Sequence, residues 1–398
     1  MAALASAPPP SAYAAEVAKA QLDIERLETI VRRNTRDVEK RVRLAYRQFH
    51  LASLTHQQRH FAAAEQSIAD ALRDFGPKED LCLLKANIDG RFHRLEQVKE
   101  DLRSCPSLGR RSAGRAVQAD IDFQEGRYDS ARSTLEQMIA EDRTWDNLAR
   151  LAHWTWKFGD RVLADRLYAE AEDELTAKEL RSFAWLELQR GELALSQGLF
   201  SQAHAHAERA AASFTGHWKN REFAAKVLAA RGELEPAAGE LMAVADSVSR
   251  PELHQAIGEL LLALGRAAEA QHWLESALRE YLASARRGET HYFHHLSDFY
   301  ADAGAQPAEA VKWASRDVAL RENFTTQSAL AWALLRNGDI NDGLRWINRA
   351  LSSGVQDATV FSTAAALYGL SGDAALEQRF QNAATLICPQ GRTVHLHL

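Results

Sequence analysis

An all-α solenoid of repeated helical hairpins is predicted by three features of the sequence. Eight glycines (Gly126, Gly159, Gly198, Gly232, Gly265, Gly304, Gly338 and Gly372) recur at steps of 33, 39, 34, 33, 39, 34 and 34 residues. A fixed period near ~34 residues marks helix–turn–helix units, because one hairpin cannot bury its apolar face alone and must stack on the next. Small and large apolar residues alternate at helical spacing around each glycine. The composition favours helix throughout: alanine, leucine, glutamate and arginine dominate, and only 9 prolines occur in 398 residues. A chain this long would otherwise imply two or three compact domains, but a solenoid grows by adding units and needs no single large core.

The elements follow in chain order. Residues 1–13 carry Pro8, Pro9 and Pro10 and read as an extended, disordered arm. The stretch Met1–Ala15 lacks a basic n-region and a long apolar h-region, so it is not an intact signal peptide; the stub of a removed exporting leader is the alternative. Residues 14–44 are expected to hold a capping helix, centred on Ala14 to Arg36. A first unit runs from about Ala45 to Pro77 with Leu51, Phe61, Ala64, Ile68, Ala71 and Leu72, and a second from about Asp80 to Pro106 around Gly90.

The turn glycines then set the frame. Ala131, Leu135 and Met138 follow Gly126; Ala164, Tyr168 and Ala171 follow Gly159; Ala203, Ala207 and Ala210 follow Gly198; Ala237 and Leu241 follow Gly232. The clearest unit has Ile257, Gly258 and Leu261 before Gly265 and Ala270, Leu274 and Ala277 after it, small residues for close helix approach and large ones to fill the gap. After Gly304 one residue is inserted and Pro307 opens the second helix, where its missing N–H costs little. Gly343, Ile347 and Ala350 follow Gly338; after Gly372 the small position is lost to Glu377, while Ala384 and Pro389 keep the pattern. The two 39-residue steps predict a lengthened helix or loop near 175–185 and near 280–290. Residues 390–398 alternate Val394, Leu396 and Leu398 with polar residues and read as an extended tail.

The large–small pattern before each glycine and the small–large–small pattern after it resemble the tetratricopeptide repeat (TPR). The resemblance covers 45–389 in about ten units, nearly the whole chain. It implies a right-handed superhelical solenoid of antiparallel helix pairs, about seven or eight repeats per turn, with the first helix of each pair lining a concave groove. It also implies a mode of action, the binding of a protein or peptide segment in that groove, and says nothing of which.

Groove-facing positions recur at i, i+3, i+7 and i+10 on the first helix of each unit. They select His153 and Trp156, with Lys157 alongside, before Gly159; Trp185 and Glu192 before Gly198; and Lys226 before Gly232. They select Glu259 before Gly265, His291, His294 and Asp298 before Gly304, and Trp332 with Arg336 before Gly338. Aromatics beside charges supply apolar anchors and polar groups that fix register, as a peptide groove requires. One TPR subclass grips a partner's terminal carboxylate with a lysine and an asparagine four apart; pairs here such as Glu222/Lys226 and His294/Asp298 do not match it.

Other chemistries find little support. His291 and His295, four apart, could place two metal ligands on one helix face, which makes a histidine-based metal- or small-ligand-binding solenoid the alternative reading, yet the glutamate of an HExxH motif is missing. His204/His206 and His395/His397 are further close pairs. Cys82, Cys105 and Cys388 are odd in number and far apart, so they are expected to be small buried hydrophobes rather than a disulfide framework. There is no GxGxxG, P-loop or GxSxG cluster, so neither catalytic residues nor a cofactor is expected. The net charge of −6 and the lack of a basic tract argue against nucleic acid. No run approaches the ~18 apolar residues of a membrane span. A cytoplasmic location is expected, or a periplasmic or exported one if a leader was removed.

Overall fold

The computed structural model describes residues 10–391. Within them the chain forms 21 α-helices: one leading helix and ten antiparallel pairs. The leading helix is α1 (Ala12–Arg33), and the first pairs are α2 (Val38–Thr55) with α3 (Gln58–Phe75), α4 (Glu79–Arg91) with α5 (Leu95–Ser104), and α6 (Ser112–Gln124) with α7 (Tyr128–Glu141). Next come α8 (Trp145–Lys157) with α9 (Arg161–Asp173), α10 (Leu180–Ser196) with α11 (Phe200–Ser213), and α12 (Trp218–Ala230) with α13 (Leu234–Ala245). The array closes with α14 (Pro251–Ala263) and α15 (Ala267–Arg286), α16 (Phe293–Ala301) and α17 (Pro307–Leu320), α18 (Phe324–Asn337) and α19 (Ile340–Ser352), and α20 (Ala358–Ser371) and α21 (Ala374–Ile387).

The spaced glycines sit in the hairpin turns. Seven of the eight adopt a left-handed φ between 70° and 106°, which glycine reaches without the Cβ clash that other residues meet. At the eighth, Gly304, the inserted residue changes the turn, and the positive φ (46°) falls on Ala305. Inside the pairs the small residues permit contact: a Cβ on Gly258 would lie 2.6 Å from Leu274 Cδ2. Leu253, Leu260 and Leu261 of α14 are wholly buried in the same unit, and each large apolar side chain so buried contributes roughly 1.5–3 kcal/mol. The two long steps are met differently: by the loop after α9 and the 17 residues of α10 in one case, and by the 20 residues of α15 in the other.

Several boundaries differ from expectation. The leading helix begins at Ala12 rather than Ala14, because Ser11 caps it and its first amides reach Thr215: Ala12 N–H donates to Thr215 Oγ1 (3.0 Å) and Tyr13 N–H to Thr215 O (3.1 Å). Residues 12 and 13 are therefore helical and docked, not part of an arm. The first pair starts at Val38, inside the span assigned to the cap, since Asp37 ends the intervening turn and accepts from Lys40 N–H at 3.0 Å. The alternating tail, Val394 to Leu398 with His395 and His397, lies outside the described residues, as do residues 1–9.

A larger difference concerns pitch. Thr290 Oγ1 donates to Phe92 O (3.0 Å), Asn323 Nδ2 to Gln124 O (2.8 Å), and Phe324 N–H to Tyr128 Oη (2.8 Å). Lys157 Nζ lies 3.1 Å from Asp357 Oδ2, and Arg161 donates to Gln356 O at 2.8 Å. These partners are 195 to 200 residues apart, about six 34-residue units. The superhelix thus completes a turn in about six hairpins, tighter than the expected seven or eight, and its second turn sits directly on its first.

The cysteines also depart from expectation. Cys82, early in α4, and Cys105, just after α5, form a disulfide with Sγ atoms 2.01 Å apart. An antiparallel pair returns the chain to its starting level, so residues 23 apart in sequence meet across one hairpin. Cys388 is the free cysteine among the described residues, and it packs beside Gly198, where an added Cβ would lie 3.2 Å from its Sγ.

Candidate partner-binding groove

The first helices of successive pairs face the interior of the superhelix and leave two cavities there. One of about 700 Å³ lies in the first turn, lined from α4, α6, α8 and α10 by Arg91, Asp120, Arg150, His153 and Trp185. The other, of about 930 Å³, lies in the second turn. Its walls repeat the predicted spacing: Glu259 and Leu262 from α14, His294 and Asp298 from α16, Thr325, Ser328 and Trp332 from α18, and Thr359, Ser362 and Ala366 from α20. Lys157 and Asp357 close it where the turns meet.

The position six residues before each turn glycine points to this interior. Asp120 and His153 line the first cavity, and Glu259, Asp298, Trp332 and Ala366 the second. Between them the same row supplies Glu192 and Lys226, which pair with each other at 2.7 Å. The interior is solvated yet enclosed. Asp120 keeps 55% of its side chain exposed, while the surrounding protein raises its carboxyl above the usual range despite Arg150 beside it.

Of the twelve residues selected from sequence, the structure brings Lys157, Glu259, His294, Asp298 and Trp332 together in the larger cavity, and His153 and Trp185 in the smaller. The remaining five go elsewhere. Trp156 is buried and donates Nε1–H to Ser196 Oγ (3.1 Å), a packing role between adjacent pairs. Glu192 and Lys226 satisfy each other. His291 lies at the seam, with ring centroids 4.8 Å from Phe92 and 4.0 Å from Tyr292. Arg336 donates to Ala301 O at 3.0 Å.

Local interactions fix the groove side chains. Asp357 caps α20 by accepting from Thr359 N–H (2.9 Å); burial opposes its charge, but Lys157 and the backbone amides hold its carboxyl below the usual range. His294 Nε2 lies 3.2 Å from Asp298 Oδ2 one helical turn on. Trp332 Nε1–H donates to Asp302 Oδ2 (3.3 Å), which orients the indole along the wall. Burial, with Lys157 nearby, pushes the His153 imidazole down to about 3. Among the charged lining groups, Glu259, Asp298, Asp302 and Asp357 stand against Lys157, so the larger cavity is acidic, with apolar patches at Leu262, Phe324, Val360 and Trp332.

The sequence selection missed the α20 wall, Asp302 and Asp357. The α20 residues carried a usable signal: counting back from Gly372 as from the other glycines gives Thr359, Ser362 and Ala366. Asp302 and Asp357 lie in hairpin connections, where helical spacing gives no direction. The candidate metal pair does not converge, since His291 packs on Phe92 while His295 stacks on Tyr281 at 5.7 Å with ring planes 9° apart. Among the described residues there is no group of three or more histidine, cysteine, aspartate or glutamate side chains placed to hold a metal ion. Among the same residues no helix is long and apolar enough to cross a membrane.

No protein-family model matches the sequence, and no curated protein matches it. Among solved structures, the chain is similar to the APC/C hetero-tetramer Cut9-Hcn1 (14% identity, TM-score 0.45, 95% of this chain and 81% of that one). It is also similar to a Rap protein complexed with competence and sporulation factor (13%, 0.47, 78% and 97%). A tetratricopeptide repeat protein from Parabacteroides merdae ATCC 43184 aligns at 14% identity and TM-score 0.42, over 61% of this chain and 92% of that one. Likenesses this distant carry no argument about binding, and the architecture rests on the chain's own geometry. Ten antiparallel helix pairs, a period near 34 residues, left-handed glycines in the turns and small residues at the helix contacts make the chain a solenoid of the tetratricopeptide type.

Proposed function

We propose that the protein is a non-enzymatic interaction scaffold that holds a peptide or partner segment in the lumen of its second superhelical turn. The observation that carries this reading is the cavity of about 930 Å³ walled by four successive first helices, which offers an acidic lining with aromatic and aliphatic anchors. Such a surface suits a segment bearing lysine or arginine beside apolar side chains: carboxylates set register and sign, and Trp332 with Leu262 supplies apolar contact. The backbone carbonyls and hydroxyls of a peptide find donors and acceptors in Thr325, Ser328, Thr359 and Ser362.

The Cys82–Cys105 disulfide supports an oxidising compartment over the cytoplasm, where such bonds are rare.

A peptide-display selection on the full chain tests the groove. Wild type should enrich cationic–apolar sequences, and Trp332→Ala or Asp302→Asn should lose at least tenfold in affinity for them. Equal affinity in the variants, or no enrichment by wild type, would place binding elsewhere. Trp156→Ala is unsuitable here, because truncating a buried tryptophan costs about 3–5 kcal/mol and unfolding would mimic lost binding.

A further inference from the structure

A second cluster, outside the second-turn cavity and reaching the first-turn one only through Arg91, concentrates positive charge where the first turn meets the second. Trp218, the first residue of α12, is its centre. The His56 ring lies 5.0 Å from the indole, Arg250 Cζ 5.1 Å and Lys219 Nζ 5.4 Å. Arg91, the last residue of α4, donates to His56 Nδ1 at 2.7 Å and lies over the Phe61 ring at 4.9 Å. That bond requires a neutral His56 with Nδ1 as acceptor, so its Nε2 carries the proton. His56 itself ends α2 in the left-handed region (φ 52°), a conformation uncommon for a residue with a Cβ.

The charges in this cluster do not balance. Glu222 and Glu252 are both engaged on Arg250, at 3.1 and 2.8 Å. Arg91 and Lys219 have no carboxylate at ion-pair distance among the described residues. Burial pushes Lys219 down to about 8, partly offset by Glu222, and pushes Arg91 down to about 10, with Arg250 acting in the same direction. Lys219 also sits in the first turn of α12, where the helix dipole disfavours a cation. Lys219 is half-buried and Arg91 keeps an exposed face; cations held close together without a counter-charge repel one another and weaken a fold, and an anion that binds only the folded state relieves them.

We infer that this seam cluster is a binding site for a phosphate-type oxyanion, held by Arg91 from the first turn and Lys219 from the second, with Arg250 and His56 positioning around Trp218. The bound anion ties the two turns together at the entrance to the lumen. The same chemistry serves free inorganic phosphate or a phosphoryl group carried on a larger molecule.

Thermal unfolding of the full chain in sodium phosphate, in O-phosphoserine and in sodium chloride of matched ionic strength tests the site. Phosphate should raise Tm by several degrees in a saturable manner while chloride does not. A rise with O-phosphoserine but not with inorganic phosphate would support the site and assign it to a carried phosphoryl group. Lys219→Met should melt higher than wild type without phosphate, because an uncompensated cation is gone, and should lose the phosphate-dependent rise. Arg91→Lys should keep part of that rise. An equal rise in chloride, no rise with either phosphate source, or an undiminished rise in Lys219→Met would overturn the assignment. Neither variant touches the second-turn groove, so failure here leaves the peptide reading standing.

Discussion

Trp156 and Lys157 are adjacent in sequence, and their fates show what a single residue's spacing can reveal. The ammonium lies 4.1 Å from the indole centroid, but the ring is buried between pairs while Nζ reaches across the seam to Asp357. Helical spacing gives the direction of each side chain; whether that direction meets a neighbouring helix or an open lumen depends on how pairs rotate against one another. Seven of twelve selected residues accordingly line a cavity. Histidines carry the pH behaviour at this scale. Burial is the largest cause lowering three of them: His153 to about 3, His217 to about 4 and His291 to about 4, from an ordinary value of 6.5. A base whose folded value is depressed is protonated first in the unfolded chain, so stability is whole above about pH 6.5 and falls as pH drops towards 4. Each such group contributes about one to three kcal/mol, at 1.36 kcal/mol per pH unit and allowing for solvent in the lumen. Urea unfolding should show this loss between pH 6.5 and 4.5, and His291→Gln should flatten the slope; a pH-independent midpoint would contradict the half-buried placement of these rings.

At the scale of elements, the period of the glycines located the hairpins, and local chemistry set their ends. Asp37 and Ser11 act as caps, and their positions moved the first boundaries by a few residues from those that apolar spacing suggested. The disulfide was legible only once α4 and α5 were known to run antiparallel, because sequence distance alone says nothing about which ends return together. It closes a loop of 23 residues in one of the less regular units. Loop-closure entropy predicts a stabilisation of about 3 kcal/mol. Cys82→Ala/Cys105→Ala, or wild type in reductant, should therefore lose about that much unfolding free energy and unfold at a lower urea concentration. Thiol titration of the unfolded, unreduced chain should count one free cysteine, Cys388. Three free thiols, or no response to reductant, would show that the bridge does not form.

At the scale of the whole molecule the decisive feature is one the sequence period cannot carry. Repeat length fixes how many pairs stack, whereas pitch depends on small angular offsets between pairs, set by which small residues meet at each contact. The result here is a superhelix tight enough that pairs about six apart touch, so stability should not be a sum of nearest-neighbour terms as in an open solenoid. Two turn glycines offer a matched test. Gly126 and Gly265 have nearly equal φ, 75° and 76°, so replacing either with alanine carries the same left-handed strain, about 1–2 kcal/mol. They differ in surroundings: a Cβ on Gly126 would lie 2.7 Å from Glu322 O across the seam, while one on Gly265 meets nothing within 4 Å. A contact that close to backbone cannot be relieved by a side-chain rotation, so Gly126→Ala must push the second turn away from the first. It should destabilise by at least about 1 kcal/mol more than Gly265→Ala, on the scale of overpacking a close contact. Hydrogen exchange should rise in that variant at both Gln124–Tyr128 and Asn323–Gln327, partners that nearest-neighbour coupling would leave independent. Equal losses in the two variants, with exchange confined to α6 and α7, would mean the turns separate in solution and the lumen opens with them.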